Sequence, residues 1–151
     1  MSEIRSKGTT ERPAPHAEPP RHIAIVDDDA SVRRALARLL GTYAFSVRTY
    51  PSGPEFLESL KRGTPDCLIL DLQMPGMTGL EVLHDLAGAG FRFPVLIATA
   101  QDELGIRSRC QLAGATAFLA KPFQTEPLLE ALATALGSPV RDAPGSGEDE
   151  G

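Results

Sequence analysis

Five polar residues of this sequence have the types and positions that metal and phosphate chemistry requires. Each of them closes or directly follows a short apolar run of the length of a buried strand; they are Asp27, Asp28, Asp71, Thr99 and Lys121. Grouped carboxylates are the ligands that a hard cation such as Mg²⁺ prefers. A hydroxyl and an ammonium are donors suited to anionic oxygens. The set therefore predicts an acidic pocket that could hold Mg²⁺, with a hydroxyl and an ammonium at its rim.

The five apolar runs alternate with segments of helical periodicity, which predicts how the pocket is assembled. Strands are expected at 23–26, 45–50, 67–70, 95–99 and 117–120, and helices at about 30–42, from Pro54, near 79–86, at about 102–113 and at about 125–136. Such alternation is typical of a doubly wound α/β fold, in which a five-stranded parallel sheet carries helices on both faces. The carboxyl ends of its strands meet at one edge, where ligands bind.

Composition limits the organisation of the chain and its partners. Residues 1–21 are rich in Pro and charged residues and predict a disordered leader, 22–136 a single domain, and 137–151 a disordered acidic tail. The net charge of -5 argues against a direct nucleic-acid surface. Cys67 and Cys110 have no metal-ligand spacing and are expected to be reduced core thiols, as in a cytoplasmic protein. No run is long enough to cross a membrane.

Four motifs, each at a predicted strand end and in a fixed order, resemble those of one family. They are Val26-Asp27-Asp28-Asp29, Leu70-Asp71-Leu72-Gln73-Met74-Pro75-Gly76-Met77-Thr78-Gly79, Ala98-Thr99-Ala100 and Lys121-Pro122-Phe123. From about His22 to Leu136 the sequence resembles the receiver domain of bacterial two-component response regulators, in particular the FixJ-like group. The resemblance implies a flavodoxin-like sheet with the strand order 2-1-3-4-5 and a candidate cis peptide bond between Lys121 and Pro122.

The resemblance also implies a role for each acidic residue. Asp71 would be the phosphoacceptor, and a carboxylate is a competent nucleophile toward a phosphoryl group. Asp28 and Asp71 would bind Mg²⁺ directly, Asp27 through water, and the backbone carbonyl of Gln73 would complete the protein ligands. Asp29 would belong to the start of the following helix and not to the metal site.

Two further groups of residues take their expected roles from the same resemblance. Lys121 and the Thr99 hydroxyl would bind phosphoryl oxygens, and movement of Thr99 would let Phe118 turn inward as a switch. Phe118 stands where a tyrosine is often found, so it can pack inward but offers no hydroxyl.

The output surface would include part of the fourth helix, which is expected to contain Gly105 at a cost of roughly 1 kcal/mol relative to Ala. Its candidate contact residues are Leu104, Arg107 and Leu112. Leu112 replaces the lysine that relatives commonly carry there, which suggests an apolar contact patch or a mobile helix. The expected partners are a sensor histidine kinase or phosphotransfer protein, an unknown downstream protein, and a second copy of the chain after phosphorylation.

Three alternatives compete with the expectation of a non-enzymatic phosphoacceptor switch that stands alone and acts through protein contacts. A haloacid-dehalogenase-type phosphatase would carry a second Asp two residues after the nucleophile, and here Gln73 occupies that position. A receiver-like binding module that is never phosphorylated would not need the complete set of acidic, Thr and Lys residues. The third alternative is the receiver part of a DNA-binding transcription regulator whose output domain is absent.

Overall fold

Five parallel strands form one sheet in a computed structural model that describes residues 19–100 and 105–143 of the chain. The strands are β1 (Arg21–Val26), β2 (Phe45–Tyr50), β3 (Cys67–Asp71), β4 (Val95–Thr99) and β5 (Ala117–Ala120). Their order is β2-β1-β3-β4-β5, so the predicted order 2-1-3-4-5 is confirmed. The helices are α1 (Ala30–Gly41), α2 (Gly53–Ser59), α3 (Gly79–Gly88), α4 (Ile106–Leu112) and α5 (Thr125–Leu136), and a 3₁₀ turn, Leu60–Arg62, follows α2.

Helices cover both faces of the sheet, as predicted for a doubly wound fold. On one face α2, α3 and α4 bury apolar side chains against alternate strand residues such as Val26 and Leu70. On the other face α1 and α5 pack against the residues between them, such as Ile25 and Ile69. Every residue of β3 and β4 is buried, as expected for central strands with helices on both sides. These two apolar layers fix where the carboxyl ends of the strands lie.

Local sequence sets the starts of the helices that follow the strands. The Asp29 side chain accepts hydrogen bonds from the backbone N–H groups of Ser31 and Val32 and so caps α1. Thr78 and Glu81 form a reciprocal capping box at the start of α3. Each cap satisfies backbone donors that have no partner within the helix. The helix-start role predicted for Asp29 agrees with this geometry.

One predicted helix differs in the structure. The sequence pattern predicted Gly105 inside the fourth helix, but α4 begins at Ile106 and Gly105 precedes it with φ of 85°. Glycine adopts this left-handed conformation without a steric penalty. Because Gly105 lies before the first residue of α4, it does not destabilise the interior of the helix. The expected helix cost at Gly105 was therefore wrong. Leu104 lies outside the described residues.

The described fold extends past both predicted boundaries of the domain. Arg21 begins β1, and its guanidinium donates to the backbone oxygen of Leu136 at 3.5 Å. After α5 the chain returns to the turn between α1 and β2, where the Ala44 N–H donates to the Arg141 oxygen at 2.7 Å. The first residues after the predicted end at 136 therefore hydrogen-bond to the domain.

Candidate functional site

The ends of β1 and β3 lie side by side and bring two of the predicted site residues together. Val26 pairs with Leu70 in the parallel register, so Asp27 and Asp71 follow as neighbours. The chain leaves β1 toward β2 on one side and later adds β3 on the other, so the strand order reverses here. Ligands of doubly wound sheets bind at such a reversal, beyond the carboxyl ends of the strands. Asp27 and Asp71 therefore lie together at the sheet edge where the sequence predicted a ligand site.

Three carboxylates form a compact acidic cluster at this edge. One carboxylate oxygen from each of Asp27, Asp28 and Asp71 lies within 4.8 Å of the other two. Asp27 is 2% exposed and Asp71 4% exposed, whereas Asp28 faces solvent. Oxygen ligands so grouped, with one side open to solvent, fit a hard divalent cation that retains several waters.

Lys121 brings an ammonium to the same cluster from the end of β5. Its Nζ lies 2.8 Å from Asp27 Oδ2 and 3.1 Å from Asp71 Oδ1. The Lys121 backbone N–H donates to the Thr99 oxygen at 2.9 Å, which fixes the lysine beside the end of β4. The peptide bond between Lys121 and Pro122 is cis, as predicted. The lysine and two buried carboxylates thus form one connected ionic group.

The electrostatics of this group favour an additional cation. Burial, and then the negative charge of Asp27, raise the pKa of Asp71 to about 6, and the nearby Lys121 offsets this rise only in part. Burial lowers the pKa of Lys121, but hydrogen bonds and charge from Asp27 and Asp71 outweigh it and leave that pKa raised. Three carboxylates face one ammonium, so the ionised cluster has two negative charges in excess. A divalent cation would balance them.

Gln73 and Thr99 lie at the same sheet edge as the acidic cluster, Gln73 with an exposed side chain and Thr99 with a buried one. The Gln73 side chain is exposed, while its backbone N–H bonds to the Asp71 carboxylate. Thr99 is buried at the end of β4 and pairs with Ala120 of β5. The structure therefore places both residues at the same sheet edge as Asp71, as the sequence analysis predicted.

Phe118, Arg107 and Leu112, three of the predicted switch and output residues, lie on β5 and α4. Phe118 is half-buried on β5, and the Arg107 guanidinium carbon lies 5.0 Å from the centre of its ring. Leu112 is 89% exposed at the end of α4. An exposed large apolar residue is consistent with the predicted apolar contact patch, although one such residue is common on protein surfaces.

Arg33 contacts the site and was not singled out from the sequence. Its Nη1 donates to the backbone oxygen of Asp27 at 2.7 Å from the second turn of α1. The sequence contains one weak signal for this contact. Arg33 follows the candidate ligand Asp27 by six residues and lies near the start of the predicted helix, close to the strand ends. That signal is weak because the adjacent Arg34 has the same chemistry and is exposed.

Fold and site together define a class of protein: a doubly wound α/β domain with an acidic cluster, a threonine and a lysine at its topological switch point. The sequence matches the response regulator receiver domain over residues 23–133. The chain belongs to the response regulator receiver family, as the sequence resemblance predicted.

Curated relatives agree with this assignment. The response regulator MprA of Mycobacterium tuberculosis (strain H37Rv) is 42% identical over 107 residues, which are 71% of this chain and 46% of the relative. MprA of Mycobacterium leprae (strain TN) is 43% identical over 107 residues, covering 71% of this chain and 47% of the relative. The chain therefore spans about half the length of these relatives.

Solved structures give the same result for the fold. A response regulator receiver protein from Burkholderia phymatum is 43% identical with a TM-score of 0.70, covering 82% of this chain and 98% of that chain. The structure FixJ-N is 31% identical with a TM-score of 0.72, covering 78% and 94%. The latter is compatible with the predicted FixJ-like group. Among the described residues, no helix has the length and apolar character needed to cross a bilayer.

Proposed function

We propose that this receiver domain is a phosphoacceptor switch in which Asp71 takes a phosphoryl group from a histidine kinase or phosphotransfer protein. The observation that carries the proposal is the buried Asp71 carboxylate, 3.1 Å from the Lys121 ammonium and clustered with Asp27 and Asp28. Receiver domains are signalling switches and not classical enzymes, so the modified Asp71 is the signal itself.

The proposed transfer is a displacement at phosphorus. An Asp71 carboxylate oxygen attacks the phosphorus atom, a new O–P bond forms, and the bond from phosphorus to the donor's leaving atom breaks. The leaving group takes the bonding electron pair, and the product on Asp71 is an acyl phosphate. Lys121 Nζ and the Thr99 hydroxyl are the donors for phosphoryl oxygens. Lys121 would exchange part of its contact with Asp71 for the transferred group.

Mg²⁺ is the cofactor proposed for the acidic cluster. Asp28 and Asp71 would hold it directly, Asp27 through water, and the backbone carbonyl of Gln73 would complete the protein ligands. When bound, the cation offsets the repulsion between the carboxylates and an anionic phosphoryl donor. The excess of carboxylates over ammonium groups in the cluster supports this assignment.

The proposed output is a change on the surface that includes Phe118, Arg107 and Leu112. Inward movement of the Thr99 hydroxyl toward the phosphoryl group would let the Phe118 ring turn inward. The altered surface would then bind a downstream protein or a second copy of the chain. We place this switch in the cytoplasm with no direct nucleic-acid contact of its own, and with output through protein contacts.

The experiment that tests the function is phosphorylation by acetyl phosphate, followed by intact-mass measurement with and without Mg²⁺. A single phosphate adduct is expected only with Mg²⁺, and it should be absent from D71N. The variant D85N is the matched control, because Asp85 is an exposed carboxylate on α3. It should form the adduct as the wild type does. A folded wild-type protein that forms neither an adduct nor a beryllofluoride complex would instead be a binding module that is never phosphorylated.

A further inference from the structure

Arg33 donates a hydrogen bond to the loop that carries the acidic cluster. It is half-buried on α1, and its Nη1 donates to the Asp27 backbone oxygen at 2.7 Å. The next residue, Arg34, is exposed. The two arginines therefore have the same chemistry but different surroundings.

The Asp27 carbonyl belongs to a peptide unit just past the end of a strand. Ladder pairing between β1 and β3 ends at Val26 and Leu70, so this carbonyl lies beyond the regular ladder. A backbone carbonyl in such a place needs another donor, and a guanidinium supplies a charge-assisted one. The same peptide unit contains the nitrogen of Asp28, whose carboxylate completes the cluster.

The other contacts of Asp27 hold its remaining groups. Its N–H donates to the Tyr50 oxygen at 3.2 Å, and its Oδ1 accepts from the Asp29 N–H at 2.9 Å. Its Oδ2 accepts from Lys121 at 2.8 Å. Among the described contacts of Asp27, the Arg33 bond is the one made to the carbonyl of the peptide that leads into Asp28.

We infer that Arg33 is a positioning residue for the magnesium site, holding the Asp27–Asp28 peptide so that Asp28 stays within the carboxylate cluster. The inference rests on the proposed function, since it assigns Arg33 a part in the same site. Partners that orient metal ligands commonly change metal affinity by roughly 10-fold to 100-fold when they are removed.

The charge of Arg33 and its positioning role predict opposite changes in Mg²⁺ affinity when Arg33 is replaced. Arg33 adds positive charge near a site for a cation, so its charge alone weakens Mg²⁺ binding. If that were its only effect, R33M would bind Mg²⁺ more tightly than the wild type. If Arg33 positions the loop, R33M binds Mg²⁺ more weakly, because Asp28 no longer has a fixed orientation.

The test is a Mg²⁺ titration of the full chain, followed through the amide NMR shifts of Asp28 and Gln73. The variants are R33M, R33K and the matched control R34M, which removes the same charge one residue away. Thermal unfolding checks that each variant is folded. Adduct formation from acetyl phosphate is then measured over the same range of Mg²⁺ concentrations.

For R33M we expect the Mg²⁺ dissociation constant to rise about tenfold, with a similar rise in the Mg²⁺ concentration for half-maximal phosphorylation. The plateau rate should stay within about twofold of wild type, because saturating Mg²⁺ restores the site. R34M should match wild type within the same limit, and R33K should lie between wild type and R33M. A purely structural role would lower the plateau without moving the half-saturation point.

Equal or tighter Mg²⁺ binding by R33M, or an equal loss in R34M, would overturn the inference and leave the proposed function intact. A wild-type chain that binds no Mg²⁺ and forms no adduct would overturn the proposed function instead. If R33M does not fold, the R33K variant is the test. A lysine keeps the charge but has neither the reach nor the planar donor group of an arginine. Mg²⁺ affinity of R33K equal to that of wild type would therefore contradict the positioning role.

Discussion

The acidic pocket and the α4–β5 face are held by interactions of very different strength. In the pocket, formed by Asp27, Asp28, Asp71 and Lys121, two ion pairs of 2.8 and 3.1 Å join side chains that are largely withdrawn from water. On the α4–β5 face, formed by Arg107, Leu112 and Phe118, an exposed guanidinium lies over a half-buried ring.

The two regions should differ in how much a lost side-chain contact costs. Charges in a low-dielectric pocket interact strongly, and an unpaired member is costly. A solvated contact between a cation and a ring contributes about 0.5–1 kcal/mol and can be exchanged for another at little cost. The pocket is therefore suited to hold reacting groups in place, and the face to change its contacts.

The largest effect is expected from K121M, which removes the ammonium of the pocket. Loss of one donor to a charged reacting group typically lowers rates by about 100-fold or more. We therefore expect adduct formation from acetyl phosphate at saturating Mg²⁺ to fall by about 100-fold, measured as the initial rate of mass increase. K61M is the control, because Lys61 is exposed and pairs with Glu58 at 3.1 Å on the surface. A K121M rate within about threefold of wild type would contradict the donor role of the lysine.

The next effect tests how tightly the backbone beneath the pocket is packed. A Cβ on Gly79, at the start of α3, would lie 2.5 Å from the Asp71 carbonyl oxygen and 2.8 Å from the Leu72 Cα. Because these are backbone atoms at the end of β3, relief requires the strand or the helix to shift. We expect G79A to destabilise the fold by about 2 kcal/mol in chemical denaturation, within the usual range for overpacking.

Gly88 provides the matched substitution at the other end of the same helix. A Cβ there would meet nothing within 4 Å. G88A should therefore be neutral or stabilising by up to about 1 kcal/mol, since alanine restricts the unfolded chain more than glycine does. Equal stabilities for G79A and G88A would show that the packing beneath the pocket can relax more easily than its geometry indicates.

A smaller effect concerns pH and the ionisation of Asp71. Its pKa in the fold is raised to about 6 by burial and by Asp27, above the ordinary value of 3.8 that applies in the unfolded chain. A carboxyl with a raised pKa is stabilising when protonated, so stability is lost as pH rises from about 4 through about 6. In Mg²⁺-free buffer D71N should therefore be more stable than wild type at pH 7, because the wild-type fold then carries the ionised Asp71 carboxylate.

The advantage of D71N should disappear below about pH 4, where Asp71 is protonated in both folded and unfolded chains. Thermal or urea unfolding of both proteins across this range measures it. Mg²⁺ should raise the stability of wild type at pH 7 and leave D71N nearly unchanged, because binding to the folded state stabilises it by mass action. A constant difference between the two proteins at every pH would rule out Asp71 ionisation as the cause.

The same contrast explains which features could be predicted from the sequence. Asp27, Asp71, Thr99 and Lys121 each end an apolar run, and parallel strands must bring such ends to one edge. Residue type and strand position were therefore sufficient to predict the pocket. The helices on both faces followed from the same alternation of runs, whereas the strand order was implied by the resemblance to receiver domains.

Contacts on the surfaces of the helices could not be predicted in this way. Gly105 fits a helical pattern by spacing, and only the backbone shows that it takes a left-handed conformation before α4. The contact of Arg107 with Phe118 joins elements that are adjacent only after α4 has packed on the sheet. Arg33 and Arg34 are alike in sequence, and tertiary packing decides which one reaches Asp27.

The smallest effect is expected on the α4–β5 face. R107M removes the cation above the Phe118 ring but keeps an apolar stem, so we expect a loss of about 0.5 kcal/mol in the free energy of unfolding. The Phe118 ring protons should shift in NMR spectra, because the guanidinium beside the ring is gone. R109M is the control, since Arg109 is exposed on the same helix. The rate of adduct formation should remain within about twofold of wild type in both variants. A contact of about 0.5 kcal/mol can change the activation free energy of phosphorylation only slightly.

A larger change in that rate for R107M alone would contradict the separation of the two regions. The resting position of Phe118 would then influence Asp71 before any phosphoryl group arrives. Because Phe118 lies on β5, three residues before Lys121, such coupling would pass through the strand that carries the pocket ammonium. Combining R107M with K121M would then give a rate that differs from the product of the two single effects, whereas independent regions would give that product.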